Sequence, residues 1–276
     1  MSGCSRVFRH AVLQDKDSII EFLNQHWGSR HPLVNREEFF EFYYHSREKL
    51  QFVLALEDEH IVAVAGYIVA NSNAVPDGWV SIWCASGGTN GVGLELMEAL
   101  PRLAGIRVLA CNNIRPKTMA FYRFLGWHAD RIPHFYRFGY KESFALIQNP
   151  TQTPFPSPQG NLQLSLVSSA EQLDTLGVHR TGLLPQKDVW YLKRRYFSFP
   201  YQQYEVWAIQ DQTSFQGYLV TRTVEVPEYG TSVLRIVDFI GTPETLGNLG
   251  NAIDTLIQSK QVEYADCYCA GISAEI

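Results

Sequence analysis

The residues best placed to do chemistry in this chain are glycines. Gly88, Gly91 and Gly93 stand in the run Gly88-Thr89-Asn90-Gly91-Val92-Gly93. The run lies between an apolar segment at 79–85 and a segment of helical spacing at 94–103. Glycine reaches positive φ without steric cost and lets a ligand come close to the backbone. The first amides of a helix have no intrahelical partner, and the helix dipole adds partial positive charge there. A strand, a glycine turn and a helix start in that order make an anion site suited to a pyrophosphate. The same order also serves as a plain turn, so the run alone assigns nothing.

Other reactive residue types are scattered. The five cysteines are Cys4, Cys84, Cys111, Cys267 and Cys269. Their number is odd, three sit in apolar runs, and Cys267 and Cys269 are not a CxxC pair. They read as reduced thiols, and no second cluster completes a metal set. Between 190 and 204 aromatics alternate with Lys193, Arg194 and Arg195. That pattern suits a surface for phosphate or carboxylate. It suits better an amphipathic helix with its rings in the core.

The elements that must position these residues follow from length and pattern. A chain of 276 residues, 46% hydrophobic and 13% aromatic, is long enough for two cored domains. A formal charge of −5 argues against a protein that tracks nucleic-acid phosphates. The start lacks the apolar core of a signal peptide, and no run approaches the ~20 apolar residues of a membrane span. The expectation is a cytoplasmic protein, monomeric or homodimeric.

Residues 149–160 hold four prolines among Ser, Thr and Gln. Proline fixes φ and lacks a donor, so this stretch reads as a linker between domains at 1–148 and 161–276. Before it, strands are expected at 7–12, 51–56, 61–70, 79–85 and 107–111, with a closing strand pair at 127–140. Helices are expected at 15–24, 36–49, 94–103 and 117–125. After it, strands at 162–167, 204–210, 216–223, 233–240 and 263–269 alternate with helices at 171–176, 188–196 and 244–259. The second half repeats the order of the first without its last helix and strand pair. The fold class is α/β (α+β), with two mixed, mostly antiparallel sheets flanked by helices.

One strand after the glycine run comes Phe121-Tyr122-Arg123-Phe124-Leu125-Gly126-Trp127. Together, the glycine turn and this helix end resemble the GNAT superfamily of acyltransferases. Members carry a Q/R-x-x-G-x-G/A turn after the fourth strand and a tyrosine-bearing helix end after the fifth. Gly88 departs from the usual Gln or Arg, which loses a side chain but keeps the amides. Arg115, with Asn112 and Asn113 just upstream, stands where the family often has Asn.

The resemblance implies an acyl-coenzyme A-dependent N-acyltransferase, with acetyl-coenzyme A or another acyl-coenzyme A as its donor. Backbone groups at Trp83, Cys84 and Ala85 would pair with the pantetheine arm. Amides from Gly88 through Thr89, Asn90, Gly91, Val92 and Gly93 would hold the pyrophosphate, with Asn113 and Arg115 as further contacts. Tyr122 would protonate the departing thiolate. The base stays open among Glu57, Asp77, His26, His45 and His134. The acceptor would be an amine on an amino sugar or another small metabolite. In the second half Gly241-Thr-Pro-Glu-Thr-Leu-Gly247 replaces the glycine turn; Pro243 lacks an amide and Glu244 is anionic, so this half is expected not to bind coenzyme A. Two other readings stand beside the enzyme: a non-catalytic binding protein, and an aminoacyl or peptidyl transferase that needs no coenzyme A.

Overall fold

The structure is a computed structural model that describes residues 6–28, 31–46, 49–88, 91–148, 157–179 and 181–271. Cys4, Thr89, Asn90 and residues 149–156 of the proline-rich stretch lie outside the described residues. The chain forms two compact units, Met1–Asp130 with Leu184–Gln186, and Arg131–Leu183 with Lys187–Ile276.

The first unit begins with β1 (Arg6–Val12) and α1 (Lys16–Leu23), extended by a π-helical turn at Asn24–Gly28. Next come α2 (Pro32–Asn35), α3 (Glu37–Tyr44) and β2 (His45–Ser46). They are followed by β3 (Lys49–Glu57), β4 (His60–Val69), β5 (Gly78–Ala85), α4 (Val92–Ala104), β6 (Leu109–Cys111) and α5 (Met119–Phe124). The sheet order is β1-β3-β4-β5-β6, with β2 paired to β3. Neighbours are antiparallel except β5 and β6, which are parallel.

Period-two alternation gives this sheet two buried faces. Phe52, Leu54, Val64, Ile82 and Cys84 pack with Ile19, Leu23, Phe40 and Tyr44 of α1 and α3. Val53, Ala55, Ala65, Tyr67 and Val80 pack on the other face with Leu96, Met97 and Leu100 of α4 and Tyr122 of α5. The spacing of Val92, Leu96, Met97 and Leu100 gives α4 a single apolar stripe. Gly105 ends that helix in the left-handed conformation, φ 66°.

The second unit contains β7 (His134–Phe138), β8 (Gln163–Leu166), α6 (Gln172–Leu176) and α7 (Val189–Leu192). It continues with β9 (Glu205–Gln210), β10 (Phe215–Val226), β11 (Thr231–Ile240), α8 (Pro243–Gly247), α9 (Gly250–Lys260) and β12 (Tyr264–Tyr268). Its sheet order is β7-β12-β11-β10-β9-β8.

Four expectations differ from this arrangement, the first being the helix expected over 244–259, which is two helices, α8 and α9. The closing strand pair at 127–140 is a single strand, β7, and it joins the second sheet. There it pairs antiparallel with β12, from Tyr264↔Phe138 to Tyr268↔His134. The compact units therefore divide at Asp130/Arg131, ahead of the proline-rich stretch. An unpaired β12 edge would leave its main-chain groups without partners, and β7 supplies them. The second half thus gains a final strand from the chain that precedes the proline-rich stretch. Lastly, the helix expected over 36–49 stops at Tyr44, because His45 turns extended and pairs with Leu50.

Candidate functional site

The site starts from a backbone irregularity. Along β4 and β5, Gly66 faces Ile82 and Tyr67 faces Val80, so Ser81 is an extra, bulged residue. A bulge bends its strand and raises the local twist. On the other side of β5, the ladder to β6 runs Gly78↔Leu109, Trp79↔Ala110 and Val80↔Cys111, and then stops. Past Val80 the two parallel strands fork. The β6-facing edge of β5 from Ser81 to Ala85 has no ladder partner among the described residues. It is an open strand edge able to pair with an extended chain.

Side chains from both faces fix the bulge. Tyr44 Oη lies 3.0 Å from Ser81 Oγ, and Tyr44 is fully buried. Trp83 points to the opposite face, where its Nε1 donates to Gly93 O at 3.1 Å. A Cβ on Gly93 would stand 3.3 Å from Trp83 Nε1 and 3.4 Å from Ala85 Cβ. Glycine there lets the first turn of α4 close on the end of β5. Gly88 and Gly91 have φ of 88° and 76°, the region only glycine enters freely. Gly91 caps α4 without a side-chain bond; the Leu94 and Glu95 amides bond Gly91 O at 2.9 and 3.1 Å, and the Val92 and Gly93 amides have no partner among the described residues. Glu95 in that turn would repel an anion, but Arg6 Nη1 holds its carboxylate at 2.7 and 2.8 Å.

Tyr122 stands at the apex of the fork. Its hydroxyl donates to Cys111 Sγ at 3.3 Å, and Cys111 is the last β6 residue paired to β5. The ring is packed edge-on against Trp83, centroids 5.5 Å apart, and tilted against Trp127 at 5.2 Å. Burial, then the neighbouring Cys111, push the Tyr122 phenol far above its ordinary value. It is neutral and carries a proton at physiological pH.

The structure thus brings Trp83, Ala85, Gly91, Val92, Gly93 and Tyr122 around one fork. Cys84 faces the other way, into the α1 and α3 core, and burial pushes its thiol up to about 11. It is a core thiol; its contribution to the open edge is its main chain alone. Asn113 adopts a left-handed φ of 55° in the loop after β6. Arg115 is exposed on the same loop and forms no ion pair among the described residues.

The five candidate bases are dispersed. Glu57 is held by Arg6, 2.8 Å from its Nε. Asp77 is fully buried at the paired end of β5, with Arg107 Nε and Nη2 each at 2.8 Å and the Gln186 amide at 2.7 Å. Burial alone would raise its carboxyl, but Arg107 and the Gln186 amide hold it below the ordinary range. His45 bonds Glu41. His134 belongs to the second unit, where it meets Asp266 at 3.1 Å. His26 is exposed and packs on Phe22, in the π-helical turn that lies against β5. Sequence reasoning missed Tyr44, Ser81 and Cys111. Only the place of Cys111 at the end of a short apolar run hinted at its role.

The second unit repeats the fork in altered form. β11 and β12 pair only at Leu234↔Ala265 and Arg235↔Asp266. Val237 is the bulged residue, since Val220 faces Asp238 and Thr221 faces Ile236. A buried tyrosine again meets the bulge: Tyr196 Oη donates to Asp238, which also pairs with Lys187. Asp238 further accepts the Phe239 amide at 2.9 Å. The helix that follows, α8, is only five residues long, has Pro243 in its first turn, and is capped by Thr242 Oγ1 on the Thr245 amide at 3.3 Å.

No family model and no curated protein matches the sequence. Solved structures do match its fold. A GCN5-related N-acetyltransferase from Anabaena variabilis is 12% identical with a TM-score of 0.57, covering 98% of this chain and 67% of its own. A probable N-acyltransferase from Enterococcus faecalis gives 14%, 0.57, 98% and 67%. Eis1 from Mycobacterium abscessus gives 13%, 0.53, 95% and 65%. The chain spans about two thirds of the length of these proteins. It has the GCN5-related N-acetyltransferase fold over nearly its whole length, in a two-sheet arrangement.

Proposed function

We propose that the chain is an acyl-coenzyme A-dependent N-acyltransferase with one donor site, in the first unit. One observation carries the reading: the β5/β6 fork opens beyond Val80 and Cys111, with Tyr122 Oη at its apex and the glycine-capped start of α4 at its mouth. The open β5 edge suits the amides of a pantetheine arm. The α4 amides suit a pyrophosphate. Acetyl-coenzyme A is the donor we favour.

In this reading the acceptor amine attacks the thioester carbonyl, and a new C–N bond forms as the C–S bond breaks. The thiolate takes the Tyr122 hydroxyl proton, and the tyrosinate regains one from the amine nitrogen through solvent. The Tyr122 phenol keeps its proton at physiological pH and so has one to give as the thiolate forms. Of the five candidate bases, His26 is in the turn packed against β5. The acceptor is a small amine, and an amino sugar is the class we would test first.

The second fork lacks the features of the first. Thr242 and Pro243 leave fewer amides free than Gly91–Gly93, and Asp238, next to the bulged Val237, is already paired to Lys187. We propose that the second unit binds no coenzyme A. The four cysteines among the described residues are free, in keeping with a reducing compartment and a cytoplasmic site of action. No helix among the described residues is long and apolar enough to cross a membrane.

Isothermal titration with acetyl-coenzyme A tests the reading, followed by free-thiol release with glucosamine, spermidine and neamine as acceptors. One molecule bound per chain, and thiol release with at least one amine, is expected. No binding would overturn the donor-site assignment. Binding with no release would favour a non-catalytic protein.

A further inference from the structure

The hydrogen bond at the apex of the fork is an unusual one. A buried phenol ordinarily finds an oxygen partner, yet Tyr122 Oη donates to a thiol, Cys111 Sγ, at 3.3 Å. A neutral sulfur is a weak acceptor. The rest of the tyrosine is fixed: Trp83 and Trp127 pack on its ring, and it is 3% exposed. Only the hydroxyl rotor is left to choose a direction, and Cys111 sets it. Cys111 is also the last residue of β6 paired to β5, so its sulfur marks the point where the strands part. Its thiol faces onward to Asn112 O at 3.7 Å, a weak contact that does not compete strongly for the sulfur.

We infer that Cys111 is a positioning residue: its sulfur holds the Tyr122 hydroxyl toward the apex of the fork and is displaced there by the sulfur of coenzyme A. The inference rests on the coenzyme A reading above. The exchange trades one S···H–O bond for another. It becomes favourable as the thioester breaks, because a thiolate accepts far more strongly than a thiol. A strong oxygen acceptor at position 111 would hold the proton back. An apolar residue would leave the rotor undirected.

The test uses binding of two probes to the full chain, coenzyme A and desulfo-coenzyme A, which lacks the sulfur. Cys111→Ala leaves the Tyr122 hydroxyl without its partner, so coenzyme A should bind about three- to tenfold more tightly than to the parent, while desulfo-coenzyme A is unchanged. Cys111→Ser restores an acceptor and should bring coenzyme A affinity below the parent value. Tyr122→Phe should bind both probes alike, and Cys111→Ala added to it should change nothing. If Cys111→Ala does not fold, Cys111→Ser decides the matter: weaker binding of coenzyme A with desulfo-coenzyme A unchanged supports the role, and an equal change for both probes, or none, overturns it. An equal change for both probes in Cys111→Ala, or none, overturns the positioning role and leaves the donor site standing. If the parent binds neither probe, the coenzyme A reading itself falls.

Discussion

Tyr44 Oη sits 3.0 Å from Ser81 Oγ, so a helix that ends at Tyr44 holds the β5 bulge next to the point where β5 and β6 part. The bond joins residues far apart in sequence, and it recurs in the second unit as Tyr196 on Asp238. In each half a buried phenol meets the bulge region of the strand from which the sheet forks. The duplication is therefore clearer in this contact than in any sequence motif.

Tyr44→Phe keeps the ring but removes the hydroxyl. Losing one neutral buried hydrogen bond should cost about 1 kcal/mol. Thermal unfolding should shift down by about 4 °C. The bulge would also lose its tether, so the affinity for acetyl-coenzyme A should fall, read by titration calorimetry. An unchanged affinity with a lowered melting temperature would confine Tyr44 to a stabilising role.

Tyr122→Phe should act on turnover. General-acid removal lowers rates by roughly 10² to 10⁴. The dissociation constant for acetyl-coenzyme A should stay within about twofold, because the α4 amides and the β5 edge are untouched. Steady-state thiol release beside calorimetry separates the two quantities. Equal turnover in the variant would remove Tyr122 from the acid role.

Gly91→Val tests the anion site. Gly91 holds φ 76°, a region that costs a β-branched residue about 1–2 kcal/mol. The strain falls on the helix cap, so the first amides of α4 should turn away from the phosphates. We expect weaker binding of coenzyme A and a smaller loss for dephosphorylated pantetheine, which has no pyrophosphate to place. Equal losses for both would mean the substitution damages the fork rather than the anion site.

Asp77 predicts a pH dependence of stability. Its carboxyl is held below the ordinary value near 3.9, so the native state binds its proton less readily than the unfolded chain. The stabilisation is then fully present above about pH 4 and is lost as pH falls through the lower native value. Denaturant unfolding of the parent should weaken below about pH 4. Asp77→Asn should be less stable at neutral pH and show a shallower acid slope. A parallel slope in the variant would assign the acid sensitivity to other carboxylates, such as Asp15, which Arg9 holds low.

Much of this protein was legible in one dimension. The apolar, β-branched and aromatic runs at 51–56 and 61–70, with the acidic turn Glu57-Asp58-Glu59 between them, announced the β3/β4 hairpin, because strand propensity and a tight turn are local properties. The four-residue spacing in α4 and the glycines before it announced a strand, turn and helix, because amphipathic stripes and positive φ are also local. Tyr122 was reachable from its motif. The strand β7 was not, because its partner β12 lies far along the chain and only edge pairing selects it. The bulge at Ser81, the tether from Tyr44 and the thiol under Tyr122 were likewise decided by packing. So was the fate of Asp77: a carboxylate that looked free to act as a base is closed in by Arg107 and by the Gln186 amide. The glycine turn and the tyrosine were written in residue order. The fork that gives them a common purpose exists only where two strands, a bulge and a buried phenol meet.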